Sequence, residues 1–151
     1  MHPGVTDEAF LKDLEENVYC CLKHSSVEGI GVFAIRDIPK DTNPFRGCRK
    51  VSWRTIPAEH ILNNSRINDD VKELVNRYYV TEHEMMHIPD HGFNDINISY
   101  FVNHSENPNM RVEEYDDRIE FFAVRDIEKG EELLADYRMY IDEQAAFIPS
   151  Q

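Results

Sequence analysis

The apolar positions of this chain alternate between helical and strand periods, giving β-rich ends and a more helical middle third. Residues 6–17 read as a helix, with Thr6 as N-cap, acids in the first turn and Phe10, Leu11 and Leu14 on one face. This segment is expected to be a packing arm. Residues 18–22 and 31–36 are rich in Val, Ile, Phe and Tyr and read as strands, with Gly29 and Gly31 marking a close backbone approach. Residues 56–62 read as weakly helical. Residues 69–79 read as a better helix, whose stripe of Val71, Leu74, Val75 and Tyr78 is expected in the core. Tyr100, Phe101 and Val102 read as a buried strand end. Residues 110–115 and 118–124 alternate around Asp116 and Asp117, which signals a hairpin.

One internal echo ties the β-rich ends together. Residues 33–41 (FAIRDIPKD) and 122–130 (FAVRDIEKG) agree at six of nine positions. Each copy is a strand running into a turn. Two copies do not make a solenoid, which needs several adjacent repeats, so they imply two similar corners in related environments.

At 151 residues the chain is most simply one domain, large enough to bury a core without staples. No stretch is long and apolar enough to span a bilayer. The start carries acids and no apolar run of signal-peptide length, so the expected location is intracellular, cytoplasmic or nuclear, with no membrane partner. Cys20, Cys21 and Cys48 give neither a disulfide framework nor a zinc spacing and read as reduced, mostly buried thiols. The net charge of −13 argues against direct nucleic-acid binding, which needs a basic footprint. The same charge either draws basic partners to the surface or serves solubility alone.

Two polar strings carry the candidate chemistry. Asn103-His104-Ser105-Glu106-Asn107-Pro108-Asn109 has no apolar spacing, and its side chains compete for backbone hydrogen bonds, so it reads as a loop built for polar contacts. The second string is Gly130-Glu131-Glu132-Leu133-Leu134-Ala135-Asp136-Tyr137. Together with Gly29-Ile30-Gly31-Val32-Phe33-Ala34 and the run from Asn97 to Ser105, these resemble the ordered motifs of the SET domain, a family of protein lysine methyltransferases that use S-adenosylmethionine. The resemblance covers roughly residues 22–140 and is weak in the middle third, where the family carries a variable insert.

The resemblance implies a mainly β fold with short helices, in which small sheets form a β-clip and the last segment threads under the polar loop as a pseudoknot. It implies an N-terminal helical arm over residues 1–21, a catalytic domain over 22–140 with an insert at about 52–94, and a C-terminal tail over 141–151. Ile30, Gly31, Val32 and Phe33 would line the cofactor's amino acid end. Asn103 and His104 would bind the cofactor, the His104 backbone meeting the adenine edge. Gly31 is expected because a side chain would block a ligand lying against the backbone, and the Asn103 amide suits the ligand's ammonium or carboxylate.

Tyr137 is the expected catalytic residue. A lysine amine must be neutral to attack the sulfonium methyl, although its free pKa is ~10.4. An apolar channel and a positive sulfur favour the neutral form, and the Tyr137 hydroxyl would orient the amine. Tyr78, Tyr79, Tyr100 and Tyr140 are candidate channel walls, each with ordinary packing as its competing explanation. Asp136 is expected to be structural.

Tyr100 stands where the family most often has Arg, and Glu106 where many members have Cys. The second departure fits the lack of a Cys-rich segment after Tyr137, so no zinc is expected. The segment from Arg138 to Gln151, with Tyr140, Phe147 and Ile148, either folds over the channel or frays. A competing motif, His83-Glu84-Met85-Met86-His87, fits the zinc-protease pattern HExxH, which requires both His on one face of a stable helix. Pro89 and Gly92 end any such helix almost at once.

The expected activity is therefore transfer of a methyl group from S-adenosylmethionine, leaving S-adenosylhomocysteine, to a lysine of a basic protein such as a histone, by a monomer or homodimer. The alternatives are a SET-like module that binds a basic peptide without turnover and, last, a zinc hydrolase.

Overall fold

The computed structural model describes residues 6–48, 51–115 and 118–139. Helix α1 (Asp7–Asn17) starts where the Thr6 hydroxyl accepts the Ala9 N–H at 3.2 Å, as its capping position suggests. Its last turn holds no basic residue of its own. The terminal carbonyls are taken instead by the body of the protein: Arg36 Nη1 donates to Glu15 O at 2.7 Å and Arg46 Nη2 to Glu16 O at 2.6 Å. Both guanidiniums lie over the Tyr19 ring. The arm is thus held by its end. Its face is not packed, since Phe10, Leu11 and Leu14 remain about half exposed and no residue of the helix is buried.

The remaining elements follow in order: β1 (Cys20–His24), β2 (Ile30–Ala34), β3 (Trp53–Pro57), α2 (Glu59–Leu62), α3 (Asp69–Tyr78), β4 (Thr81–Glu82), β5 (Met85–Pro89), β6 (Asn103–His104), β7 (Met110–Tyr115), β8 (Arg118–Ala123) and β9 (Glu132–Ala135). The main sheet runs β1-β2-β9-β7-β8, with β6 pairing β9. Strand β9 is its keystone. It pairs antiparallel with β2 through Val32 and Leu133, and parallel with β6 and β7, so the last strand enters between the first strands and the polar loop. Asn109 fixes that insertion. Although polar, it is buried, and its amide donates to Glu132 O at 2.8 Å while accepting the Leu134 N–H at 2.8 Å. Val32, Ala34, Ile38, Val102, Met110 and Leu133 belong to the core beneath. The β7–β8 hairpin forms as the alternation indicates, with Tyr115 opposite Arg118.

The echoed segments meet each other. Ile38 and Ile127 exchange both backbone hydrogen bonds, at 2.8 and 2.9 Å. Asp126 accepts from Lys40 N at 2.8 Å, and Asp37 accepts from Lys129 N at 2.9 Å. Gly130 N donates to Ala34 O and Asp41 N to Ala123 O, both at 2.8 Å. Equivalent atoms of the two copies therefore bond reciprocally, as an approximate two-fold would arrange them.

A second sheet, β3-β5-β4, packs with α2 and α3 around Ala58, Val75, Met86 and Ile88. Three sequence expectations change here. Residues 56–62 divide between the end of β3 and the short α2. Only Val75 of the α3 stripe is buried, while Val71 and Leu74 are 38% and 40% exposed, because a three-stranded sheet with a two-residue edge covers little of the helix. Ile98–Phe101 forms a 3-10 helix rather than a strand end, since the Asn97 side chain accepts the Ser99 N–H and starts a turn. The HExxH string does not form a helix. His83 and Glu84 occupy the β4–β5 turn at φ 48 and 64, and His87 lies in β5 opposite Thr55. Among the described residues no group of three His, Cys, Asp or Glu is arranged to hold a metal ion, and no helix is long and apolar enough to cross a membrane. All three cysteines are free, but only Cys20 is buried and Cys48 is exposed.

Candidate active site

The site is assembled where β2, β6 and β9 meet. Parallel pairing of β6 with β9 sets Asn103 beside Leu134 and brings its amide over the β1–β2 turn. Asn103 Nδ2 donates to Glu28 O at 3.0 Å, Glu132 Oε1 at 3.0 Å and Ile30 O at 3.3 Å. The Ser25 hydroxyl, buried at the end of β1, donates to the Glu132 carboxylate at 2.7 and 2.9 Å from its two oxygens and accepts the Val27 N–H at 3.0 Å.

Gly31 belongs to this cluster for a reason other than the expected one. A Cβ there would lie 2.1 Å from Glu132 Oε1 and 2.9 Å from its Cδ, so the missing side chain makes room for Glu132. The open approach is at Gly29 instead. That residue has φ +48, and a Cβ there would have nothing within 4 Å. Of the expected cofactor residues, Ile30 is exposed beside Asn103, Gly31 is filled by Glu132, the Val32 side chain lies fully in the core and Phe33 is half-buried beneath Lys23.

His104 joins the polar loop to Tyr137. Its Nδ1 accepts the Tyr137 backbone N–H at 3.1 Å, which leaves the ring proton on Nε2, and the two rings tilt against each other at 5.2 Å. Asp136 lies 3.8 Å from the same nitrogen. Its carboxyl is held below the usual range by hydrogen bonds from Arg138, so it is committed to bracing the turn.

The Tyr137 hydroxyl donates to the Val102 carbonyl at 2.5 Å. Burial pushes its pKa up to about 12, with Glu28 and Tyr78 adding negative or potentially negative charge nearby. At neutral pH it is a phenol. Tyr78 leads into an aromatic cluster, 6.5 Å from Tyr100, 6.4 Å from Phe101 and 6.1 Å from Phe93, and Phe93 in turn stacks on Tyr79 at 5.0 Å. Tyr100 approaches His91 Nε2 at 3.3 Å, and burial, then Tyr79 and Asp90, raise its pKa to about 12.

Three of the four tyrosines read as channel walls therefore share one cluster, next to Tyr137. Tyr140 and the tail lie outside the described residues. Sequence reasoning missed Glu132, Ser25 and Phe93 at this site. Gly31 was the available signal for the first two, because a strand glycine marks a place that something else fills.

The SET domain family model matches residues 29–138. The histone-lysine N-methyltransferase trr of Drosophila melanogaster is 30% identical over 149 residues, covering 91% of this chain and 5% of that protein. The histone-lysine N-methyltransferase SUV39H1 of Xenopus laevis is 50% identical over 54 residues, covering 30% of this chain and 13% of that relative. The chain thus spans a small part of the length of these curated relatives. Among solved structures, a humanized mutant of the Chaetomium thermophilum Polycomb Repressive Complex 2 aligns with a TM-score of 0.54 at 21% identity, over 89% of this chain and 16% of that one. A Plasmodium falciparum candidate histone methyltransferase aligns at 0.50 and 21% identity, over 80% and 93%. At that identity the structural likeness speaks for the fold.

Proposed function

The chain belongs to the SET domain family, and from that premise we propose that it is a protein lysine N-methyltransferase, moving a methyl group from S-adenosylmethionine to a lysine in a basic segment such as a histone tail. The observation that supports this most is the setting of Tyr137. Its hydroxyl is held against the Val102 carbonyl, its ring lies against His104, and Glu28 and Tyr78, the latter part of the aromatic cluster, are close enough to influence it electrostatically.

The polar wall suits the methyl donor by charge. Carbonyls at Glu28 and Ile30 and the carboxylate of Glu132 surround Asn103 next to the open Gly29 turn, and a ligand carrying an ammonium and a sulfonium is cationic at both. Asn103, the exposed Ile30 edge and the His104 backbone are the groups that would hold it. When bound, it supplies an electrophilic methyl on a positive sulfur.

The rest follows from the protein's own side chains. A lysine entering between Tyr78, Tyr100 and Tyr137 leaves water for an aromatic surround, which lowers its pKa from ~10.4 toward the neutral amine. Tyr137 is not the base that takes its proton, because a phenol with a pKa of about 12 is protonated at neutral pH. The proton goes to water as the chain enters. With its own O–H given to Val102 O, the Tyr137 oxygen accepts an amine N–H and aims the nitrogen lone pair. The net charge of −13 raises the local concentration of basic segments.

Calorimetric titration with S-adenosylmethionine tests the proposal. Saturable heat with one site per chain is expected. Neither heat nor a thermal shift at millimolar ligand would remove it.

A further inference from the structure

Glu132 is a half-buried carboxylate that, among the described residues, has no cationic partner. Among the described residues, its carboxylate oxygens accept hydrogen bonds from Ser25 Oγ and Asn103 Nδ2 alone. Three acceptors, Glu28 O, Ile30 O and Glu132 Oε1, converge on one end of the Asn103 side chain. An amide oxygen there would face three oxygens, so only the NH2 group fits and Oδ1 must point the other way. Two of the three acceptors are fixed by the backbone. The third is a flexible side chain that stays in place because Ser25 tethers it and Gly31 leaves it room.

We infer that Glu132 is a positioning residue for the methyl donor: tethered by Ser25 and admitted by Gly31, it locks the polarity of the Asn103 amide so that the site takes the ligand's ammonium rather than its carboxylate. The inference rests on the methyltransferase reading and adds a residue outside the expected contact set. It also narrows that set. Asn103 acts through Oδ1 alone, its NH2 being spent within the protein.

The test uses two neutral-sulfur ligands. S-adenosylhomocysteine carries the amino acid end, whereas 5′-methylthioadenosine keeps the adenosine and thioether without it. Both are titrated into the wild-type chain, Glu132→Gln and Gly31→Ala. The first variant keeps the shape and removes the charge, and the second keeps the charge but pushes the carboxylate away from Asn103. Each is expected to weaken S-adenosylhomocysteine by about tenfold, the scale of one hydrogen bond to a charged group, and to leave 5′-methylthioadenosine within about twofold. A structural role would not split the two ligands. Equal weakening of both, or unchanged S-adenosylhomocysteine affinity in both variants, overturns the inference while the methyltransferase reading stands. Failure of the wild-type chain to bind S-adenosylhomocysteine overturns both.

Discussion

Alkaline titration of Tyr137 is the sharpest physical consequence of its burial. In the unfolded chain a tyrosine ionises near ~10, whereas in the folded protein desolvation pushes Tyr137 to about 12. Between those values the folded state holds a proton that the unfolded state has lost, so stability falls as pH rises. The contribution is fully present below about pH 10 and lost on passing about pH 12. Two pK units correspond to roughly 2.7 kcal/mol as an upper figure. Tyr137→Phe cannot ionise but leaves Val102 O without its donor, which costs about 1 kcal/mol or somewhat more at pH values near 8. The variant is therefore expected to be less stable than wild type at about pH 8 and to lose that deficit, or reverse it, by about pH 12. Urea unfolding followed by circular dichroism measures both curves. Tyr100 and Cys20, also raised to about 12 by burial, titrate in both proteins and drop out of the difference. A deficit that stays constant with pH would show that Tyr137 ionises near its ordinary value of ~10, and the argument that burial in the fold raises it would fail.

The reciprocal corners make a second prediction. Asp37→Ala and Asp126→Ala each remove one acceptor from a backbone N–H and are expected to destabilise by similar amounts, about 1 kcal/mol each. A cost at one site and none at the other in urea unfolding would deny the pseudo-symmetry. A third concerns the HExxH string. With His83 in a turn and His87 on a strand, chelation and His87→Ala should leave methyl transfer intact, and loss of activity together with stoichiometric zinc would contradict this.

Local chemistry was the part of the fold most legible in the sequence. The Thr6 cap and the alternation of residues 110–124 state their partners within a few residues, and both elements form as read. Tertiary coverage was not legible. The α3 stripe has helical periodicity, yet periodicity cannot say how wide a surface will meet it, and Val71 and Leu74 stay half exposed. Likewise the echo revealed two similar corners, but nothing in either string says that they bond to each other. At the site, Asn103, His104 and Tyr137 come from two separate strings of the sequence, and β9 brings them together. Gly31 was singled out for the room it leaves to a ligand, and in the fold that room admits the Glu132 carboxylate. A missing side chain announces a close neighbour without naming it, and that neighbour is Glu132, 101 positions along the chain.

The central claim is lysine methylation with Tyr137 at the reacting amine. The most direct measurement is transfer of a labelled methyl group from S-adenosylmethionine to a histone mixture by the wild-type chain and Tyr137→Phe, with ligand affinity measured alongside. Wild type should label lysine, and the variant should fall by roughly 100-fold or more, in line with loss of one preorganised polar contact, while binding S-adenosylmethionine within about twofold. Label on no lysine, or undiminished transfer by the variant, would contradict the account.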